Sequence, residues 1–259
     1  MSEQRRWYVI TGATSGIGLA TAQALDATGA PLVLVGRDRG RLEGIRTADG
    51  SQLKSDVRYA VGDVGEPATM AEAIAQIPEG DLLAGWVNSA GVNVPGSVID
   101  IDEETLHRGM KSNFEGVFWG CQAATRRLID QGLGGAIVNL TSTAGYVGYP
   151  SNAVYTAAKG AIIALTRQVA SDFAAQGIWC NAVAPGVIDT PMNSSILEDN
   201  PDREEIEDYW TQLSPVGRIG TADEVAALVV FLLGKQSSFT TGQTFVIDGG
   251  QLAIGRLRS

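Results

Sequence analysis

A chain of 259 residues with 44% hydrophobic content has the size of one large α/β domain and enough apolar mass for a sizeable core. Its 29 carboxylates against 19 basic residues give a formal charge of −10, whose far field repels nucleic acid and anionic membrane surfaces alike. No apolar run reaches membrane-spanning length and no long apolar leader follows the first residues, so a cytoplasmic protein without membrane or nucleic-acid partners is expected.

Trp7 to Thr11 is an apolar strand signal that runs into Gly12-Ala13-Thr14-Ser15-Gly16-Ile17-Gly18, after which Leu19, Ala22, Leu25 and Ala27 recur at helical spacing. Five further apolar runs follow: Leu32 to Val35, Val57 to Val61, Leu82 to Val87, Ala136 to Leu140 and Ile178 to Val183. Thr244 to Ile247, before Asp248-Gly249-Gly250, supplies a seventh strand. Each run is short and separated from the next by enough chain for a crossover helix, the pattern of a parallel sheet covered on both faces. The fold class is therefore α/β, a doubly wound, seven-stranded, mostly parallel sheet in a single domain spanning 1–259. The composition breaks at Asp189 to Ser214, where Ile206, Tyr209, Trp210 and Leu213 at three- to four-residue spacing suggest one short amphipathic helix. It reads equally as a substrate lid over 189–214 or as a plain surface helix.

Functional groups in such sheets collect at the C-terminal strand ends. Glycines between the first strand and first helix permit positive φ angles and close backbone approach, and the helix N-terminus offers free amides to a pyrophosphate. Gly12, Thr14, Ser15, Gly16, Ile17 and Gly18 are thus candidates for a dinucleotide site, although the spacing is not the common G-x-G-x-x-G. At the second strand end, Gly36-Arg37 leaves room and positive charge for a 2′-phosphate, which favours NADP. Asp38 is the competing residue, an acceptor for the ribose hydroxyls of NAD. Asp63 and Val64 after the third strand are placed to meet the adenine, and Asn88, Ala90 and Gly91 after the fourth to line a ribose.

Tyr155 and Lys159 lie four apart in a segment, Ala153 to Ala170, that reads as helix, so they share a face. A lysine beside a phenol, with a cationic nicotinamide near, is expected to lower the tyrosine pKa towards that of a useful base. The alternative is a lysine snorkelling over a packed ring. Ser142 ends the fifth strand, where its hydroxyl can hold a substrate oxygen. A serine-hydrolase triad has no histidine to build on, since His107, the only one, lies in a probable helix start flanked by Asp100, Asp102, Glu103 and Glu104. Cys121 and Cys180, without C-x-x-C spacing or a nearby histidine, read as buried free thiols, and no metal is assigned.

Taken together, Thr11-Gly12-x-x-x-Gly16-Ile17-Gly18, Asn88-Ser89-Ala90-Gly91, Asn113, Ser142, Tyr155-x-x-x-Lys159 and Pro185-Gly186 closely resemble the short-chain dehydrogenase/reductase family over about residues 6–250. The resemblance implies a Rossmann-like fold and a catalytic tetrad of Asn113, Ser142, Tyr155 and Lys159. It further implies cofactor contacts from Tyr155, Lys159, Pro185, Gly186, Ile188 and Thr190, a mobile substrate segment at 189–214, and a homotetramer. Ser89 stands where the family usually has a second asparagine, and Ser15 where many NADP-using members carry a base. The implied reaction is reversible hydride transfer between NADP(H) and a small or medium-sized ketone or secondary alcohol, with Ser142, Ala144, Tyr149, Asn152, Tyr155, Gly186, Met192 and Trp210 around the substrate. Three alternatives remain: a 3-oxoacyl-[acyl-carrier-protein] reductase, an NAD-dependent sugar or polyol dehydrogenase, and a dinucleotide-binding protein without turnover. The tail from Gln251 to Ser259 reads either as a subunit contact or as a disordered end.

Overall fold

In a computed structural model, which describes residues 4–45, 53–198 and 200–253, the apolar runs become the strands of one parallel sheet. They are β1 (Arg6–Thr11), β2 (Leu32–Gly36), β3 (Val57–Val61), β4 (Leu82–Asn88), β5 (Gly135–Leu140) and β6 (Ile178–Pro185). Two short strands, β7 (Ile188–Asp189) and β8 (Gly220–Thr221), pair with each other, and β9 (Thr244–Ile247) completes the main sheet in the order β3-β2-β1-β4-β5-β6-β9. Every neighbouring pair in that order is parallel.

The helices are α1 (Gly16–Asp26), α2 (Arg39–Gly44), α3 (Pro67–Ala75), α4 (Glu103–Met110), α5 (Gly116–Gln131), α6 (Ala153–Phe173), α7 (Pro191–Leu197), α8 (Arg203–Leu213) and α9 (Ala222–Leu233). Met70 and Ala73 of α3, Val117 and Leu128 of α5, and Ile162 and Val169 of α6 bury against one sheet face. Ala22 and Leu25 of α1, Leu42 of α2, and Val225, Val229 and Leu232 of α9 bury against the other. All of β2 and β5 is buried, and at roughly 1.5–3 kcal/mol per fully buried large aliphatic side chain this two-sided covering is the main source of stability. The chain forms a single α/β domain of doubly wound design. The strand order reverses between β1 and β4, and the loops at their C-terminal ends open the crevice in which such sheets bind ligands. Among the described residues no helix is long and apolar enough to cross a membrane.

The strands fall within two residues of their expected bounds; the segment from 189 to 214 does not follow expectation. Two helices, α7 and α8, stand where one was expected. The break coincides with Pro201, whose ring and missing N–H forbid continuation of a helix from α7, while Pro191 occupies the first turn of α7, where no partner for its nitrogen is needed. A second irregularity joins α4 to α5: Lys111–Glu115 forms a π-helical turn. The wide turn inserts an extra residue into the helix, and Asn113 within it is 0% exposed, its side chain turned to Val92 in the loop after β4. Gln251–Ala253 forms a short 3₁₀ turn, and the remainder of the expected tail lies outside the described residues.

Candidate active site

The end of β1 is tied to the end of β4 by one side chain. Buried Thr11 accepts hydrogen bonds through Oγ1 from the backbone N–H groups of Ser89 (3.1 Å) and Ala90 (3.2 Å). Gly12 follows with φ +67°, and a Cβ there would lie 2.7 Å from Ala90 Cα. At Gly18 a Cβ would come within 2.3 Å of the Gly12 carbonyl oxygen. These two positions demand glycine because the turn closes on itself and on β4. Ser15 stands at the N-cap of α1 without capping through its side chain, so the first amides of α1 face the crevice without a side-chain acceptor. Thr14, Ser15, Gly16, Ile17, Gly18, Arg37, Asp63, Val64, Ala90, Gly91, Tyr155, Lys159 and Thr190 line, with Gly12, a cleft of about 290 Å³.

At its far end lies the start of α2. Asp38 caps that helix by accepting from the Arg41 N–H at 3.1 Å, and Arg39 pairs with Glu43. Arg37 and Arg41 are exposed and line the cleft. Asp63 accepts from the Gly65 N–H at 2.9 Å through one carboxylate oxygen. Asn88, expected beside a ribose, is 1% exposed and points into the protein instead. It accepts from the Trp86 indole at 2.7 Å and donates to Asn139 Oδ1 at 2.8 Å. As the last residue of β4 it still belongs to the sheet, so its alternating side faces α5, and the turn proper begins at Ser89.

A second cavity of about 590 Å³ shares Ile17, Thr141, Tyr155, Thr190 and Met192 with the cleft. Its walls include all the expected substrate residues, Ser142, Ala144, Tyr149, Asn152, Gly186, Met192 and Trp210, together with Pro185 and Ile188, which line this cavity and not the cleft. At the junction, Ser142 caps a short 3₁₀ turn by accepting from the Ala144 N–H at 3.1 Å, and its hydroxyl stands beside the Tyr155 phenol. One turn along α6, the Lys159 ammonium lies 5.4 Å from the centroid of the Tyr155 ring and donates to the Leu140 carbonyl at 2.8 Å. Lys159 is 5% exposed. Asn113 accepts from the Val92 N–H at 2.9 Å and donates to the Val92 carbonyl at 3.1 Å. A Cβ on Gly91 would lie 2.9 Å from Asn113 Oδ1 and 3.9 Å from Lys159 Nζ, so Gly91 is the contact through which the two side chains approach.

Burial decides the electrostatics. The Lys159 ammonium, drawn out of water with a carbonyl as its hydrogen-bond acceptor, has its pKa lowered from 10.5 to about 8. The Tyr155 pKa is raised above the ordinary 10.0 by burial, with the neighbouring Ser142 hydroxyl pulling the other way. The expectation of a lowered phenol is thereby corrected for the protein on its own. Desolvation exceeds any help from the ammonium, which is held towards Leu140.

A family model described as enoyl-(acyl carrier protein) reductase matches residues 12–251. 2-(S)-Hydroxypropyl-CoM dehydrogenase 3 of Xanthobacter autotrophicus is 38% identical over 247 residues, 95% of this chain and 96% of that protein. A short-chain type dehydrogenase/reductase from Mycobacterium ulcerans superposes with a TM-score of 0.87 at 29% identity, covering 98% of this chain and 92% of that one. This chain belongs to the short-chain dehydrogenase/reductase family. Levodione reductase is a further structural relative, with a TM-score of 0.88, 32% identity, and coverage of 97% of this chain and 99% of that one. The protein is an NAD(P)-dependent oxidoreductase acting on a ketone or alcohol.

Three residues of this family member escaped the sequence reading. Arg41 was not singled out because its approach to the cleft depends on Asp38 capping α2. Thr11 appeared only as the start of a motif, although a threonine closing an apolar strand before a glycine turn is a signal for such a clamp. Gln251 donates to the Tyr149 hydroxyl at 2.6 Å, and that hydroxyl donates to Thr143 Oγ1 at 3.0 Å. Nothing local in sequence announces a contact between positions so far apart. His107 is exposed on α4, and Cys121 and Cys180 are buried free thiols.

Proposed function

We propose that the protein catalyses reversible hydride transfer between NADP(H) and a small or medium-sized ketone or secondary alcohol, with Tyr155 as proton donor and acceptor. The observation that carries this reading is the placement of Ser142 beside Tyr155 where the two cavities meet, so that a reacting carbonyl there faces both hydroxyls and the dinucleotide cleft. The cleft fits such a cofactor on its own terms, since its glycine turn leaves no room for a Cβ and its helix amides lack a side-chain acceptor. The α1 amides would hold the pyrophosphate, the second Asp63 oxygen the adenine amino group, and Lys159 the nicotinamide ribose. When bound, the nicotinamide supplies or accepts the hydride.

The Ala144 N–H holds the Ser142 hydroxyl in place, and that hydroxyl can donate to the substrate oxygen. Burial keeps the Tyr155 phenol protonated at neutral pH, the form required to deliver a proton as a ketone is reduced. In the oxidative direction the Lys159 ammonium favours the phenolate, and Asn113 acts by fixing Val92 and the turn around Gly91. NADP is preferred over NAD because exposed Arg37 and Arg41 line the adenosine end while Asp38 is engaged as a cap. The segment 189–214 acts as a substrate lid, a role supported by Ile196, Ile206, Tyr209, Trp210 and Leu213 on the cavity wall. The homotetramer expected from the family is supported by exposed Phe118 on α5, Phe231 on α9 and Phe239 in the segment before β9.

The test is absorbance at 340 nm with NADPH and NADH against a panel of ketones, diketones and keto-sugars, and the reverse reactions. Tyr155→Phe is expected to lower turnover by about 10²–10⁴-fold while cofactor binding persists. Near-normal turnover in that variant refutes the assignment.

A further inference from the structure

The second cavity carries no formal charge. Among the described residues no aspartate, glutamate, lysine, arginine or histidine lines it. One side is apolar, with Ile206, Trp210 and Leu213 from α8, and the other offers only neutral hydrogen-bonding groups, among them Asn93, Tyr149 and Asn152. The arginines nearest the lid are already neutralised: Arg203 pairs with Glu207 at 3.1 Å and Arg218 with Glu224 at 2.6 Å. The outer surface of α8 adds the exposed carboxylates Glu204, Glu205 and Asp208. An anionic group entering this cavity would therefore shed water without gaining a cation, and would cross an acidic rim to do so.

We infer that the substrate, on the hydride-transfer reading above, is an uncharged ketone or its secondary alcohol with apolar carbon flanking the reacting centre, and that carboxylates close to that centre are rejected. The argument is sharpest for short oxo acids. With the carbonyl oxygen at Ser142 and Tyr155, a carboxylate one or two bonds from the reacting carbon lies among the uncharged side chains of the cavity wall.

Matched ester and acid pairs test this directly. Binding of methyl 3-hydroxybutanoate and of 3-hydroxybutanoate to the NADPH-loaded protein, measured calorimetrically, reports the cavity without any turnover. Reduction of methyl acetoacetate and acetoacetate reports the reaction. The ester is expected to bind at least 30-fold more tightly, and Asn93→Arg, which brings a cation to the mouth, is expected to narrow the ratio at least tenfold by tightening the acid. Equal or tighter binding of the acid, or no measurable binding of either, overturns the inference. Reduction of acetoacetate at least as efficient as that of its ester overturns it too, and leaves hydride transfer standing. Tighter binding of the ester with no reduction by either cofactor supports the neutral cavity and refutes hydride transfer.

Discussion

Lys159 is held at a thermodynamic cost, and the size of that cost follows from its surroundings. In the unfolded chain its pKa is that of a free lysine, 10.5, whereas in the folded protein without cofactor it is about 8. The folded protein thus binds this proton about 300-fold more weakly, which at about 1.4 kcal/mol per factor of ten is a penalty of about 3 kcal/mol at neutral pH. Because the unfolded chain binds more protons between these two values, stability climbs as pH rises from about 8 to 10.5, and the penalty is present in full below about 8. Lys159→Met keeps the stem and removes the charge. It also leaves the Leu140 carbonyl without its donor, a loss of about 1 kcal/mol. The variant is expected to be more stable than the parent by about 2 kcal/mol at pH 7 and less stable by about 1 kcal/mol near pH 10.5. Urea unfolding of both proteins without cofactor across that range measures the difference, in which all other titrations cancel. A difference independent of pH refutes the reasoning, since it would mean that the buried amine titrates alike in both states.

Arg41→Ala removes one of the two arginines that, among the described residues, line the adenosine end of the cleft, and the ratio of kcat/KM for NADPH over NADH is expected to fall at least tenfold, measured at 340 nm with one substrate. Thr11→Val preserves shape but takes the acceptor from the part-buried Ser89 and Ala90 N–H groups, so unfolding free energy is expected to drop by about 1 kcal/mol, with weaker cofactor binding by titration. Gln251→Ala frees the Tyr149 hydroxyl, and KM for the substrate is expected to rise about three- to tenfold with kcat little changed. An unaltered KM would show that Tyr149 keeps its place on the cavity wall through Thr143 alone.

The parts of the molecule legible in sequence are those set by local rules. Strands such as Val57–Val61 are short apolar runs ended by glycine or a polar residue, and the turn from Gly12 to Gly18 places glycine where Ala90 and the Gly12 carbonyl leave no space for a Cβ. Tyr155 and Lys159 share a helix face by their spacing alone. What was not legible depends on competition between groups. Asn113 is buried because a π turn shifts the register of its helix, and no helical periodicity encodes that turn. The direction of the Tyr155 pKa hinged on whether the ammonium or desolvation prevails, a balance of burial that only the packed structure sets. Arg41 reaches the cleft only once Asp38 has capped α2, and Gln251 meets Tyr149 only once the end of the chain has returned across the sheet.

Asn88 and Asn139 face one another on adjacent strands, β4 and β5, in a core otherwise built mostly from apolar side chains. Aliphatic strands in a parallel sheet are nearly interchangeable under a two-residue slip, which restores the same face to the same side. The amide pair breaks that degeneracy, because any slip separates Asn88 Nδ2 from Asn139 Oδ1 and strands two amides among Trp86, Cys121 and Thr166. Asn139 lies three residues before Ser142, and Asn88 immediately precedes the turn that Thr11 clamps. The pair acts as a registration mark between strands, fixing the level at which the two halves of the reaction site face each other.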